Sequence, residues 1–271
     1  MSIREAFFDT NDYARSQIYP VRKKAEGKRG KKAVPSTAIQ EKYNNKCREN
    51  YLTDVLHLNF TDRDINLRLS YDEEPETIED AIKEVQLFIR RVRNYRSKNG
   101  LGKIKYIYVT EQGIKGGRIH HHIVMSGGIE RDVIEALWGK GYSNAQRLQF
   151  NEEGLRGLAH YFGNYPDKER ITYRRWNSSK NLQKPAPKTN DYRISVKSAK
   201  YINAHPDDLN FIETLYPEYI ITKVETTPQN EFSAGIFIAI YMYRRDAAFL
   251  KMRNVNAVKK KGAALRKGIV S

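Results

Sequence analysis

Three consecutive histidines lie within "GGRIHHHIVM", a stretch rich in β-branched and apolar residues. His120, His121 and His122 are half of the six histidines in the chain. Because side chains alternate between the faces of a strand, His120 and His122 share one face and His121 occupies the other. Two imidazoles at this spacing can bind one divalent ion. We therefore predict a metal-binding pair, although a strand histidine is more often structural, and we assign His121 a structural role.

Glu111 is the candidate third ligand. It ends the preceding predicted strand, and a turn over residues 112–117 would place it opposite Arg118, one diagonal step from His120. A shift of one residue in register would turn Glu111 to the other face. The alternative for Glu111 is a surface salt bridge with Arg118. Two imidazoles and one carboxylate leave positions for phosphate oxygens, so the predicted cofactor is Mg²⁺ or Mn²⁺.

A bound phosphate needs a nucleophile, and Tyr161 is the candidate. The segment "NEEGLRGLAHYFGNYP" predicts a helix that Asn151 caps and that ends before Pro166. Its apolar stripe leaves Tyr161 on the flank, where the ring can reach over the edge of the sheet. Tyr165 lies one turn further on and is the candidate for a second nucleophile. Ordinary packing is the alternative for both tyrosines.

The composition favours a nucleic-acid partner. The 271-residue chain has 48 lysines and arginines against 32 acidic residues, a net charge of +16 and a pI near 9.7. Eighteen tyrosines and ten phenylalanines are available to stack on bases. The single cysteine, Cys47, excludes an internal disulfide and a cysteine-rich zinc site. No run of eighteen apolar residues is present, so we expect no membrane partner and a cytoplasmic location.

The predicted elements indicate an α+β layer. Residues 1–50 are predicted to form a basic arm, because "RKKAEGKRGKK" holds seven positive charges in eleven residues. A solvated charge run is the alternative to DNA contact for this arm. A domain over residues 51–185 follows, with strands at 51–60, 65–71, 103–111, 118–126 and 145–150. It also contains a long amphipathic helix from Thr77 to Asn99-Gly100 and a short helix at 130–138.

Residues 186–271 are predicted to form a small α+β extension with a basic tail. It would contain a strand at "YRISVK", a helix around 206–215, and strands at "YIITKVET" and "FSAGIFIAIYMYR". Just before it, "YRRWNSSKNLQKPAPK" forms a basic loop. Its candidates for DNA phosphate contacts are Arg174, Arg175 and Lys180, and Trp176 is the candidate for stacking on an unpaired base. A loop that merely caps the sheet is the alternative.

Several segments, taken in order, resemble the HUH endonucleases, more closely the rolling-circle replication initiators of bacterial plasmids, integrative elements and phages. They are "KRGKKAVPS", "LHLNFTD", "KYIYVTEQG", "GGRIHHHIVM", "LWGKGY", "GLAHYFGNY" and "RRWNSSKNLQKP", and they cover roughly residues 22–185. The resemblance implies the HUH (ferredoxin/RRM-like) fold, with a five-stranded antiparallel sheet and helices on one side. It also implies a metal bound by Glu111, His120 and His122, and Tyr161 as the nucleophile.

The resemblance implies an activity and also shows one departure. The expected reaction is metal-dependent, site- and strand-specific nicking and joining of single-stranded DNA at an origin hairpin, through a 5′-phosphotyrosine. The family commonly has lysine three residues after the tyrosine, where this chain has Asn164, so Lys168 is the candidate for the acid–base role. No GxxxxGK[ST] loop is present, so a helicase would come from the bacterial host. The alternatives are a non-catalytic origin-binding protein on the same fold, and a single-strand transposase or conjugative relaxase.

Overall fold

The protein consists of two compact units. A computed structural model describes residues 2–21, 37–112, 117–163, 176–227, 235–248 and 250. One unit, here called the histidine unit, comprises Ser36–Gln149 and Leu155–Lys184. The other, here called the terminal unit, comprises Met1–Pro35, Phe150–Gly154 and Pro185–Ser271. The described residues form ten strands and six helices.

The histidine unit contains a five-stranded antiparallel sheet, which confirms the predicted α+β class. Its strands are β3 (Ile65–Ser70), β4 (Tyr106–Gln112), β5 (Ile119–Met125), β6 (Ser143–Arg147) and β7 (Asn177–Ser178). They follow the order β6-β3-β5-β4-β7, and each neighbouring pair is antiparallel. The strand that carries the histidines is therefore central, with β3 on one side and β4 on the other.

Helices α2 (Ile78–Lys98) and α3 (Arg131–Trp138) contribute to the core on one face of this sheet. Thr77 caps α2 by accepting a hydrogen bond from the Asp80 amide, and the helix ends at Asn99, as predicted. Its apolar positions recur every three or four residues, so one stripe is buried. This stripe and the inward side chains of the strands form a continuous core that includes Leu67, Leu69, Phe88, Ile123, Met125 and Trp138.

Helices α1 (Ala38–Asn59) and α4 (Arg156–Gly163) pack against each other in the same unit. The predicted strand over residues 51–60 is wrong, because these residues are the last turns of α1 and its cap. Leu52, Val55 and Leu56 are buried at the i, i+3, i+4 spacing of a helix. The predicted start of α4 at Asn151 is also wrong. Residues 151–154 form a turn in which Gly154 has a φ of 64°.

The expected placement of helices on only one side of the sheet is wrong. On the face that carries His120 and His122, Ile107 and Val124 are completely buried. In addition, α4 contacts this face through Tyr161. The histidines therefore lie on a face that is covered over part of its width.

The terminal unit contains a second five-stranded antiparallel sheet, in the order β8-β1-β2-β10-β9. Its strands are β1 (Ile3–Thr10), β2 (Tyr13–Pro20), β8 (Lys188–Asn190), β9 (Tyr219–Thr227) and β10 (Phe237–Arg244). Helices α5 (Val196–Ala204) and α6 (Leu209–Leu215) share a core with this sheet. The predicted strand at "YRISVK" is wrong, because Ser195 caps α5 at this point.

The first twenty residues correct the predicted domain organisation. Residues 3–20 form a hairpin instead of part of an arm, and β2 pairs with β10 near the other end of the chain. The region from 186 onwards is therefore not an independent extension, because its sheet includes the amino-terminal hairpin. The basic run Arg22–Lys32 and the basic tail from residue 251 lie outside the described residues. Within the described part of the chain, no helix is both long enough and apolar enough to cross a bilayer.

Candidate active site

Glu111, His120 and His122 form a group of three potential metal ligands. Their ligand atoms lie within 4.8 Å of one another. Glu111 of β4 pairs directly with His120 of β5, and His122 follows two residues along on the same face. The predicted register, with Glu111 opposite Arg118, is wrong by two residues. A shift of two residues in register keeps Glu111 on the same face of the sheet, so the three side chains converge as predicted.

Glu111 lies at the centre of this group and is almost fully buried, with 6% of its surface exposed. Its Oε2 is 3.4 Å from His120 Nε2 and 3.9 Å from His122 Nε2. The two imidazole rings lie 5.1 Å apart and meet edge to face. Both histidine side chains are partly exposed, so a substrate can approach the group from their side.

Hydrogen bonding of His120 and burial of His122 favour forms of the two imidazoles that can bind a metal. His120 Nδ1 lies 3.1 Å from the Arg118 carbonyl oxygen, which can only accept, so Nδ1 carries the proton. In the neutral ring, the lone pair is then on Nε2, the nitrogen nearest Glu111. Burial lowers the pKa of His122 to about 4, and the neighbouring His120 and Arg68 also lower it, against the opposing effect of Glu111. Neutral imidazole is the form that binds a metal.

The residues present fit a divalent cation. Glu111 Oε1 is buried and has no hydrogen-bond partner in the described part of the protein, so one carboxylate oxygen is available as a ligand. A buried, unpaired carboxylate oxygen is costly, and a bound cation would remove that cost. Two imidazoles and a carboxylate leave open positions around a six-coordinate ion such as Mg²⁺ or Mn²⁺.

Tyr161 of α4 contacts the same group. Its hydroxyl donates to Glu111 Oε2 at 2.8 Å and lies 2.9 Å from His122 Nε2. Its ring packs edge to face on the His122 ring, with centroids 4.9 Å apart. Tyr161 nevertheless keeps 39% of its surface exposed. The structure therefore places the hydroxyl of a partly exposed tyrosine beside the three ligand candidates.

His121 lies on the opposite face and is fully buried, as the alternation predicts. Its Nε2 is 2.7 Å from the Tyr71 hydroxyl, and its Nδ1 is 2.9 Å from Thr110 Oγ1. Burial lowers the pKa of His121 to about 3, with smaller contributions from its two histidine neighbours. A neutral imidazole with both nitrogens hydrogen bonded is a structural part of the core.

Arg68 is a candidate functional residue that local spacing in the sequence does not reveal. It pairs with His122 across β3 and β5, so it lies on the same face as the ligand group, and it is exposed. Other polar residues lie on this face too; they alternate with the buried residues of β3 and continue on the neighbouring strand β6. With Arg68 they form a polar row of Asn66, Arg68, Ser70, Asn144 and Gln146. The alternation in "INLRLS" marks Arg68 as outward, but only the pairing of β3 with β5 brings it beside His122.

The remaining predicted residues fall into two groups. Trp176 is half-buried immediately before β7, at the edge of the sheet, and Lys180 is exposed in the turn that follows this strand. Both lie beside β7, the edge strand next to β4, whereas Glu111 lies on β4 and His120 and His122 lie on β5. The other predicted residues lie outside the described residues, and they are Asn164, Tyr165, Lys168, Arg174 and Arg175.

One family model matches the central part of the chain. Residues 65–170 match the family model of the replication-associated protein ORF2. The matched range is less than half of the chain but contains Glu111, His120, His122 and Tyr161. No curated protein and no solved structure gives a significant match. Over the central part of the histidine unit, the chain is therefore similar to replication-associated proteins.

Proposed function

We propose that this protein is a rolling-circle replication initiator of the HUH type, which nicks and rejoins single-stranded DNA. The observation that carries the proposal is the position of the Tyr161 hydroxyl, within hydrogen-bonding distance of both Glu111 and His122. A nucleophilic tyrosine beside a metal-ligand group suits transfer of a phosphoryl group onto the protein. The family match over residues 65–170 agrees with this role.

In the proposed reaction, the Tyr161 oxygen forms a bond to the scissile phosphorus and the bond from phosphorus to the 3′ oxygen breaks. The products are a 5′-phosphotyrosine and a free 3′ hydroxyl, and the net proton transfer is from Tyr161 to that hydroxyl. The phosphodiester energy is retained, so rejoining needs no ATP. A bound Mg²⁺ or Mn²⁺ would offset the negative charge on the phosphate and on the departing oxygen. We assign the acid–base role to Lys168 and a second transfer to Tyr165.

The proposed substrate is single-stranded DNA next to an origin hairpin. The net charge of +16 favours a polyanion. Arg68 lies beside His122 on the exposed part of the same face, where it can bind a phosphate next to the scissile one. We assign further contacts with the strand to Arg174, Arg175, Trp176 and Lys180. Unwinding would be supplied by a host helicase.

The test is formation of a covalent adduct between the protein and DNA. The substrate is a single-stranded oligonucleotide labelled at its 3′ end. With Mn²⁺ or Mg²⁺, we expect the label to migrate with the wild-type protein in a denaturing gel, because the fragment attached to Tyr161 through its 5′ phosphate carries the labelled end. A chelator should abolish the adduct. Tyr161→Phe should also abolish it with nearly unchanged affinity for uncleaved DNA, since only the nucleophilic oxygen is removed.

Two matched variants make this experiment decisive. Tyr142→Phe alters another exposed tyrosine of the histidine unit and should leave the adduct intact. Tyr165→Phe should also retain the first adduct. If Tyr165→Phe alone removes it, the nucleophile is misassigned. If the wild type binds origin DNA with either metal but forms no adduct, the non-catalytic binding protein is the correct function.

A further inference from the structure

The position of Tyr161 depends on how α4 is held in the histidine unit. The eight described residues of α4 are too few to form a stable helix alone. Its buried residues include Ala159 and Phe162, but apolar burial is non-directional and sets the rotation and axial position of a short helix less sharply than hydrogen bonds do. Hydrogen bonds are directional, and α1 supplies them to this helix at two points.

The first point is at the start of α4. His57 Nε2 accepts a hydrogen bond of 2.9 Å from the backbone amide of Leu155. This amide comes immediately before α4, where backbone donors have no partner within a helix. His57 is 6% exposed, and burial, together with the nearby Arg156 charge, lowers its pKa to about 3. The imidazole is therefore neutral and can act as the acceptor.

The second point is the carboxylate of Glu49. One oxygen lies 3.1 Å from Arg156, and the other lies 2.7 Å from His160 Nδ1. Arg156 and His160 are four residues apart and therefore lie on one face of α4. A carboxylate that binds both of them fixes which face of the helix turns toward α1. Tyr161, adjacent to His160, is then held on the side that carries Glu111 and His122.

We propose that Glu49 and His57 are positioning residues that set the rotation and axial position of α4, and through it the location of the Tyr161 hydroxyl. Both belong to α1, and their hydrogen bonds described above are to α4 and to the residue immediately before it, and not to Glu111, His120 or His122. Their effect is on the rate of transfer to Tyr161, and not on DNA or metal binding. This inference rests on the proposed function for its kinetic readout.

The kinetic test compares variants at saturating DNA, well below their melting temperatures. His57→Leu removes the acceptor, and we expect adduct formation to slow about tenfold to a hundredfold, with unchanged DNA affinity. His57→Gln keeps an acceptor near the position of Nε2 and should restore most of the rate. Glu49→Ala should slow the reaction similarly, and it provides a second variant if His57→Leu does not fold.

Asn59→Leu is the matched control. Asn59 is buried in the same helix, but it bonds to the backbone of Val55 and Gln183 and not to α4. It should lower the melting temperature and leave the rate unchanged. An equal loss of rate in Asn59→Leu and His57→Leu, at equal melting temperatures, would overturn the proposal. A loss confined to DNA affinity would also overturn it.

A second readout does not depend on activity. With 3-fluorotyrosine at position 161, the ¹⁹F signal reports the surroundings of this ring. We expect the signal to shift in His57→Leu and in Glu49→Ala, and to return in His57→Gln. That result supports the positioning role even if the wild type forms no adduct, in which case only the proposed function fails. A signal that is the same in all variants contradicts the positioning role.

Discussion

Three neighbouring histidines have different environments because a strand alternates its faces. His121 is enclosed by Tyr71, Thr110 and Trp138, and both of its nitrogens are hydrogen bonded. His120 and His122 are partly exposed, and each has Nε2 near Glu111. A difference of one position along the strand therefore separates a histidine of the core from two candidate metal ligands.

This separation gives a prediction at the residue scale. His121→Ala should lower the free energy of unfolding by about 2–4 kcal/mol, because it leaves a cavity and removes one hydrogen-bond partner each from Tyr71 and Thr110. Its Mn²⁺ affinity should change little. His120→Ala should instead weaken Mn²⁺ binding at least about tenfold and change stability by less than about 1 kcal/mol. Denaturant unfolding and calorimetric metal titration of both variants would reveal an inverted assignment.

The site residues differ in how far the sequence could identify them. Spacing alone predicted that His120 and His122 share a face. The prediction that Glu111 shares it too was correct despite the error in register, because a shift of two residues leaves a side chain on the same face. Arg68 could not be identified, since its neighbour His122 is on another strand and pairing between distant strands is not encoded in local spacing. The contacts of Glu49 and His57 with α4 were hidden for the same reason.

At the scale of elements, strongly periodic segments were predicted correctly and mixed ones were not. Helix α2 has a clear cap and a regular apolar stripe, and it was predicted almost to the residue. In α1, polar side chains such as Glu49, Asp54 and His57 are buried beside the apolar ones. This mixture obscures the helical period and leaves "YLTDVLHLNF" with an apparent alternation. Hydrogen bonds explain how Glu49 and His57 can be buried.

The link between α1 and α4 also predicts a pH dependence of stability. The pKa of His57 is about 3 in the folded protein, and it is about 6.5 for a histidine in an unfolded chain. The unfolded state therefore binds a proton first as the pH falls. The contribution of His57 to stability is complete above pH 6.5 and is lost progressively between pH 6.5 and 3, at up to about 1.4 kcal/mol per pH unit.

His57→Gln isolates this contribution, because it removes the titrating group and leaves every other histidine in place. We expect the free energy of unfolding of the variant to fall less steeply than that of the wild type between about pH 6.5 and 4.5. Tryptophan fluorescence is a suitable probe, since Trp138 and Trp176 both belong to the histidine unit. Parallel curves for the two proteins would show that His57 is protonated in the folded state.

At the scale of the whole molecule, the two ends of the chain build one sheet. Strand β2 pairs with β1 and with β10, so the amino-terminal hairpin supplies the middle of the terminal unit. A buried network reinforces this arrangement. Glu5 accepts hydrogen bonds from Ser16, Tyr216 and Arg193, at 2.7 Å, 2.8 Å and 2.7 Å. No local pattern could predict this sheet, because β2 and β10 lie near opposite ends of the chain.

This topology determines how the basic run Arg22–Lys32 must be tested. Deletion of residues 1–32 would remove β1 and β2 together with the charges, leaving β8 without its partner β1, β10 paired only with β9, and Arg193 without Glu5. We expect that deletion to abolish amide exchange protection in β9 and β10. Any loss of DNA binding that accompanied it would report unfolding of the terminal unit.

Replacement of the seven lysines and arginines of this run by glutamine removes the charge and keeps both strands. We expect weaker binding of single-stranded DNA and a shallower dependence of affinity on salt, by about 0.7 in the logarithmic slope for each phosphate that is no longer neutralised. Adduct formation on a saturating short oligonucleotide should persist, because Tyr161 and its neighbours are untouched. Exchange protection of β9 and β10 should match the wild type and serves as the control for folding. A salt dependence equal to that of the wild type would show that Arg22–Lys32 does not contact DNA. The positive charges that bind DNA would then lie elsewhere in the protein, and Arg68 would be the first residue to replace.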